Sequence, residues 1–121
     1  MVEILIIDDE AAVRRLMSRI LKRVGHTVHE AGSGGEGIEM FRRLHPALVI
    51  CDIVMPDIEG IEAIRIMHRE DPAVPIIAAS GSDVPLYLRA AIGLGAKLGL
   101  EKPFLAKDLL AAVGSLVGTA S

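Results

Sequence analysis

The sequence predicts an α/β fold: a doubly wound sheet of five parallel strands with five helices packed on its two faces. Five short apolar segments alternate with five segments of helical periodicity. No linker, internal repeat or low-complexity tract interrupts this alternation. The 121 residues suit one domain, so we expect residues 1–121 to form a single unit. Repeated strand–helix units make a parallel sheet with right-handed crossovers.

The predicted strands are short and rich in Ile, Leu, Val and Ala. They cover residues 2–7, 26–31, 47–51, 76–79 and 97–100. The third has no polar residue, which indicates burial on both faces of the sheet. The second is more polar and suits a sheet edge, and the fifth is weak.

The predicted helices have apolar residues three and four positions apart. They cover residues 13–24, 36–44, 60–69 and 86–94, and a last helix has its apolar stripe over 109–117. The first carries five basic residues on its other face, which favours a solvated surface, and it ends at Gly25. Residues 32–35 are predicted as a loop. Pro85 suits the first turn of the fourth helix. This helix is apolar on more than one side, so we expect some of its apolar side chains to face outward.

Composition restricts the classes of function. The net charge of −3 gives no general electrostatic reason to bind nucleic acid or an acidic membrane, and we expect neither contact. Cys51 is the only cysteine and lies in an apolar strand, so it predicts a small core residue in a reducing compartment. Acidic residues interrupt the apolar start of the chain, and no segment is long enough to span a bilayer. We therefore expect a cytoplasmic protein.

Polar side chains follow four of the predicted strands. Asp8 and Asp9 follow the first, Asp52 the third and Ser80 the fourth, while Lys102 lies just beyond the fifth. The carboxyl ends of parallel strands share one edge, where ligands bind in open α/β sheets. Clustered carboxylates suit Mg²⁺, and an ammonium and a hydroxyl suit a phosphoryl group. The residues by themselves thus suggest phosphoryl transfer onto an aspartate.

The same segments carry a resemblance. Residues 8–10, 52–56, 80 and 102–104, in this order and at these intervals, resemble the signature of a response-regulator receiver domain over residues 2–117. The resemblance implies the strand order 2-1-3-4-5 and a signalling switch rather than an enzyme. It also implies that Asp52 accepts a phosphoryl group from a histidine of a sensor kinase or phosphotransfer protein.

The resemblance also implies a role for each site residue. Asp9 would bind Mg²⁺ directly and Asp8 mainly through water, with Asp52 and the backbone carbonyl of Val54 as further ligands. Lys102 would pair with the phosphoryl group, and Ser80 would turn inward to bind it. The bond between residues 102 and 103 is often cis in the family.

Two departures from the family pattern concern the read-out. Gly99 stands where receivers usually carry Tyr or Phe, and Gly81 stands where Ala is common. We expect the fourth helix to carry the signal to an output domain or protein partner, and we allow for a homodimer on activation. The resemblance places kinase docking on the basic first helix.

Two other functions remain open from the residues. A Mg²⁺-dependent phosphohydrolase would place its aspartyl nucleophile and a second acid two positions apart after the first strand. Residues 8–10 imitate that poorly, and Asp52 is left unexplained. A flavodoxin-like cofactor binder would offer hydroxyls and amides in its first loop, where two aspartates repel an anion.

Overall fold

The fold is the predicted one, a five-stranded parallel sheet in the order β2-β1-β3-β4-β5 with helices on both faces. The computed structural model describes residues 1–53, 60–81 and 85–118, without the side chains of residues 85–87. The strands are β1 (Glu3–Ile7), β2 (Thr27–Ala31), β3 (Leu48–Asp52), β4 (Ile76–Gly81) and β5 (Leu98–Lys102). The helices are α1 (Ala11–Arg23), α2 (Gly34–Leu44), α3 (Gly60–Glu70), α4 (Pro85–Gly93) and α5 (Ala106–Val117). As expected, β2 is an edge strand and Pro85 opens α4.

Two apolar cores form, one on each face of the sheet. Successive strand side chains point to opposite faces, so Leu5 and Ile7 of β1 join one core while Ile4 and Ile6 join the other. The first core is covered by α2, α3 and α4. The second is covered by α1 and α5. This arrangement leaves the carboxyl ends of the strands as the edge at which a site can form.

Three strands run further than predicted, into the polar residues at their ends. Asp52 of β3 is paired with Ala79 of β4, and Gly81 of β4 is paired with Lys102 of β5. Backbone pairing, which does not depend on side-chain polarity, carries these strands through the candidate site residues. Several of those residues are therefore held by the sheet itself.

The predicted loop at residues 32–35 is wrong in its second half, because Gly34 and Gly35 belong to α2. Ser33 is the residue at which the helix begins, and its hydroxyl accepts a hydrogen bond from the Glu36 amide at 3.2 Å. The Glu36 carboxylate accepts one from the Gly32 amide at 2.7 Å. These two hydrogen bonds satisfy amides at the helix start and offset the poor helix propensity of glycine.

Some apolar helix residues face outward. Leu16 of α1 is 52% exposed although it fits the helical periodicity, because Met17 and Leu21 are the residues that meet the sheet. In and just after α4, Ile92 and Leu94 are exposed, in line with the outward apolar side chains expected for this helix. No helix in the described ranges is long and apolar enough to cross a membrane.

Candidate functional site

The polar strand ends meet at one edge of the sheet and are mostly buried. Asp8 is 0% exposed, Ser80 2% and Asp52 5%. Burying a carboxylate is costly unless a charge or hydrogen bond compensates it. The partners of these side chains therefore determine what the site can do.

Lys102 supplies the compensating charge. Its Nζ lies 2.7 Å from Asp8 Oδ2, 3.6 Å from Glu10 Oε1 and 3.7 Å from Asp52 Oδ2. Burial by itself disfavours the ammonium, but the hydrogen bond to Asp8 and the charges of Asp52, Asp8 and Glu10 outweigh it, so the pKa of Lys102 is raised. The side chain is therefore a fixed positive charge at neutral pH.

Three acids converge around this ammonium. Carboxylate oxygens of Asp8, Glu10 and Asp52 lie within 4.8 Å of one another, which makes them the candidate metal-binding group among the described residues. A set of oxygen donors alone fits Mg²⁺ rather than a soft metal. The predicted ligand Asp9 is exposed and is not in this group, and the predicted ligand Val54 lies outside the described residues.

Glu10 was not among the ligands predicted from the sequence. Its own amide donates to Asp8 Oδ1 at 2.9 Å, a hydrogen bond that folds the chain back immediately after β1. This turn brings the Glu10 carboxylate beside Lys102. The available signal was the third acid of residues 8–10, but spacing alone does not say which side chains of a turn lie close to Lys102.

Ser80 lies near the end of β4 with its hydroxyl already bonded. Its Oγ donates to the carbonyl oxygen of Gly81 at 3.0 Å. Apart from its chain neighbours, no atom of the described residues lies within 4 Å of the position that a Cβ would occupy at Gly81. The hydroxyl can therefore serve a new acceptor only if it gives up the Gly81 carbonyl.

The start of α3 packs directly on the backbone that carries Asp52. A Cβ built on Gly60 would lie 1.8 Å from the carbonyl oxygen of Asp52 and 2.4 Å from Cα of Ile53. From the other side, the Ile53 amide donates to the carbonyl of Ala79 at 3.0 Å. The peptide that follows Asp52 is thus fixed between a helix and a neighbouring strand.

One basic residue of α1 does not belong to the predicted solvated face. Arg14 donates from Nη1 to the carbonyl oxygen of Asp8 at 2.6 Å and from Nε to Glu30 Oε1 at 3.0 Å. Its side chain is only 17% exposed. The five basic residues of α1 are thus not equivalent, and one of them contacts the backbone of the site.

Leu88 of α4 lies against Gly99 of β5. Three of its side-chain carbons are 3.3–3.4 Å from the position of a Cβ at Gly99. Leu88 is partly buried and also packs on the core beneath α2, α3 and α4. The space beside β5 that a side chain at residue 99 would enter is therefore bordered by a leucine of the neighbouring helix.

The Lys102–Pro103 peptide bond is cis, as the resemblance implied.

Cys51, just before the candidate acceptor, is fully buried, and burial together with the nearby charges of Asp52 and Asp8 raises the pKa of its thiol. The thiol is therefore a core group rather than a nucleophile.

Comparison with known proteins gives a consistent result. The family model described as the response regulator receiver domain matches residues 4–114. The chain is 37% identical to the chemotaxis protein CheY of Thermotoga maritima, covering 84% of this chain and 85% of that protein. It is 35% identical to the probable transcriptional regulator ycf27 of Porphyridium aerugineum, covering 95% of this chain but 48% of the relative. The chain thus spans about half the length of that regulator.

Solved structures show the same likeness. A CheY-like response regulator receiver domain protein from Methanospirillum hungatei superposes with a TM-score of 0.89 at 29% identity, covering 93% of this chain and 90% of that one. The receiver domain of NtrX from Brucella abortus gives 0.90 at 28% identity, with 97% and 99% covered. These relatives do not support the phosphohydrolase alternative.

Proposed function

Since this chain belongs to the response-regulator receiver family, we propose that Asp52 accepts a phosphoryl group from a histidine of a sensor kinase or phosphotransfer protein. The observation that carries the proposal is the placement of the buried Asp52 carboxylate 3.7 Å from the ammonium of Lys102, beside two further acids at the strand ends. The chain is a signalling switch rather than a classical enzyme. Slow autodephosphorylation would return it to the resting state.

In the transfer step one oxygen of the Asp52 carboxylate attacks the phosphorus atom of the phosphohistidine. A P–O bond forms, the P–N bond breaks, and its electron pair stays on the departing ring nitrogen. The ammonium of Lys102 attracts the phosphoryl oxygens as they approach the acids. Such reactions depend mostly on positioning and charge neutralisation, and the raised pKa of Lys102 keeps its charge in place.

Receiver domains bind Mg²⁺ through an acidic pocket, and the oxygen donors present here fit that ion. We propose Asp8, Asp9, Asp52 and the carbonyl of Val54 as the residues that hold it, and add Glu10 because its carboxylate lies in the same group of acids. Bound Mg²⁺ would neutralise the charge that the phosphoryl group brings. The protein contributes the carboxylates, of which those of Asp8 and Asp52 are buried, and the turn that brings Glu10 beside them.

Ser80 and α4 are the proposed read-out. A phosphoryl group adds about −1.5 to −2 charge and three strong acceptor oxygens, which can draw the Ser80 hydroxyl away from the Gly81 carbonyl. The shift would reach α4, where Leu88 packs against Gly99 and would take the place of the usual aromatic residue in sensing it. An output domain, a protein partner or a second copy of the chain would then bind the altered α4 surface.

We also propose that residues 1–121 form one receiver domain and that it works in the cytoplasm, which suits its unpaired buried cysteine.

Phosphorylation with a small acyl phosphate and Mg²⁺ tests the proposal. Mass spectrometry should find one phosphoryl group on the wild-type chain and none on Asp52→Asn. Asp71→Asn is the matched control, because Asp71 follows α3 and precedes β4, at the opposite edge of the sheet. Persistent labelling of Asp52→Asn, or loss of labelling in the control, contradicts the assignment. Turnover of small phosphomonoesters would favour the phosphohydrolase instead.

A further inference from the structure

Arg14 connects three elements beside the turn of residues 8–10, which we call the acidic turn. It lies in the first part of α1, hydrogen-bonds the carbonyl of Asp8 after β1, and pairs with Glu30 of β2. The side chains of Arg14 and Glu30 are 17% and 29% exposed. Ion pairs that are largely removed from solvent and have good hydrogen-bond geometry hold their groups more firmly than exposed ones.

The polar groups of Asp8 are all engaged, and Arg14 supplies one of the partners. The Asp8 amide donates to the Ala31 carbonyl at 3.1 Å, which extends the pairing of β1 with β2 by one residue. Its side chain binds Lys102 through Oδ2 and the Glu10 amide through Oδ1. Its carbonyl accepts from Arg14. The guanidinium thus holds the carbonyl of the peptide that leads from Asp8 to Asp9.

The start of α1 has no side-chain cap that could hold the turn in place of Arg14. Glu10 stands at the cap position without a side-chain hydrogen bond to the helix, whereas α2 is capped by Ser33. A turn that carries three consecutive acids is also opposed by repulsion between their charges. One hydrogen bond within the turn, from the Glu10 amide to Asp8, and contacts from Lys102 and Arg14 outside it oppose this repulsion.

We propose that Arg14 is a positioning residue for the acidic site: by fixing the Asp8 carbonyl it holds the turn of residues 8–10 in the geometry that binds Mg²⁺. The inference rests on the proposed function, since it concerns the same site. The direction of the change in Mg²⁺ affinity when Arg14 is replaced distinguishes positioning from a simple charge effect. A positive charge near a cation site repels the cation, so the loss of that repulsion alone should tighten Mg²⁺ binding. Loss of positioning should weaken it.

The test is to titrate the full chain with Mg²⁺ and to measure the Kd from the change in NMR chemical shifts. Residues that orient metal ligands typically change metal affinity by 10–100-fold, so we expect Arg14→Met to raise the Mg²⁺ Kd about tenfold. Arg14→Lys keeps the charge and one donor but not the two-sided fork, and should give an intermediate Kd. Arg15→Met is the matched control: it makes the same charge change on an exposed neighbour and should leave the Kd within about twofold.

A second readout needs no metal. Hydrogen exchange of the Glu10 amide, which donates to Asp8, should become faster in Arg14→Met, while exchange of the Ile53 amide in the sheet should not. Should Arg14→Met fail to fold, Arg14→Lys carries both measurements. Unchanged or tighter Mg²⁺ binding with unchanged Glu10 exchange overturns the inference. The proposed function is tested separately, by phosphorylation of the wild-type chain with a small acyl phosphate and Mg²⁺. Phosphorylation at Asp52 supports that function whatever Arg14 does, and its absence contradicts that function independently of Arg14.

Discussion

Gly60 should be intolerant of even one added methyl group, because it contacts backbone rather than a movable side chain. The Cβ of Gly60→Ala would lie 1.8 Å from the Asp52 carbonyl oxygen, and real Cβ contacts are essentially never under 3.0 Å. The start of α3 and the end of β3 must therefore separate by about 1.2 Å, the difference between these distances. The separation occurs at the residue that we propose to be phosphorylated.

The expected cost follows from these contacts. Overpacking a close contact costs about 1–3 kcal/mol, and a backbone obstacle puts Gly60→Ala near the upper end. Gly60 is the first residue of α3, where the helix-interior preference for alanine offers little compensation, so we expect a loss of at least about 2 kcal/mol. For a domain of this size that corresponds to a fall in Tm of roughly 8 °C. A displacement near 1 Å at a reacting group can also slow a reaction by up to about a hundredfold.

Thermal unfolding by circular dichroism and the rate of acyl phosphate labelling measure the two effects. Gly35→Ala is the control, because Gly35 lies in α2 and, beyond its own helix backbone and chain neighbours, its Cβ would have no atom of the described residues within 4 Å. We expect that substitution to raise the free energy of unfolding by about 0.4–1 kcal/mol and to leave labelling unchanged. A Gly60→Ala protein with the wild-type Tm and labelling rate would refute the close packing of α3 on the acceptor strand.

Three further predictions concern single groups. Lys102→Met leaves the buried Asp8 carboxylate without its cation, so we expect a Tm well below that of wild type in Mg²⁺-free buffer. Added Mg²⁺ should restore part of the lost Tm. Equal Tm values for the two proteins without Mg²⁺ would be inconsistent with the ion pair. His26 has a pKa lowered by burial and by the nearby N-terminal ammonium, so its contribution to stability is present above the ordinary value of 6.5 and lost as pH falls below it. Denaturant unfolding from pH 7.5 to 5 should therefore show wild type losing more stability than His26→Gln, and parallel curves would contradict this. Cys51 should resist a thiol reagent at pH 8 in the native protein and react in denaturant, because it is buried with a raised pKa; rapid native labelling would count against that burial.

The alternation of strands and helices was readable from the sequence because local patterns decide it. Period-two and apolar segments make strands, and the 3.6-residue period makes helices, whatever the rest of the chain does. The rule that parallel strands share their carboxyl ends then placed Asp8, Asp52, Ser80 and Lys102 at one edge before any coordinates. The structure has these residues at that edge.

Boundaries were less predictable where a local signal competed with a longer-range one. Glycines favour loops, which made residues 34 and 35 appear non-helical, yet the hydrogen bonds of Ser33 and Glu36 bring them into α2. Leu16 follows the helical period but lies outside the contact between α1 and the sheet. Periodicity gives the direction of a side chain around its helix, not the width of the surface that the neighbouring sheet covers.

What only the tertiary structure decided is which atoms touch. Lys102 and Asp8 are 94 residues apart in the chain, and the sequence predicted their proximity but not a 2.7 Å hydrogen bond. The placement of the Glu10 carboxylate beside Lys102 and the contact of Arg14 with a carbonyl depend on the path of one turn, which leaves no periodic trace in the sequence. The sequence by itself therefore determined the fold and the chemical groups at the site. The tertiary structure decided their partners, because pairing between distant residues depends on distances that only the packed chain sets.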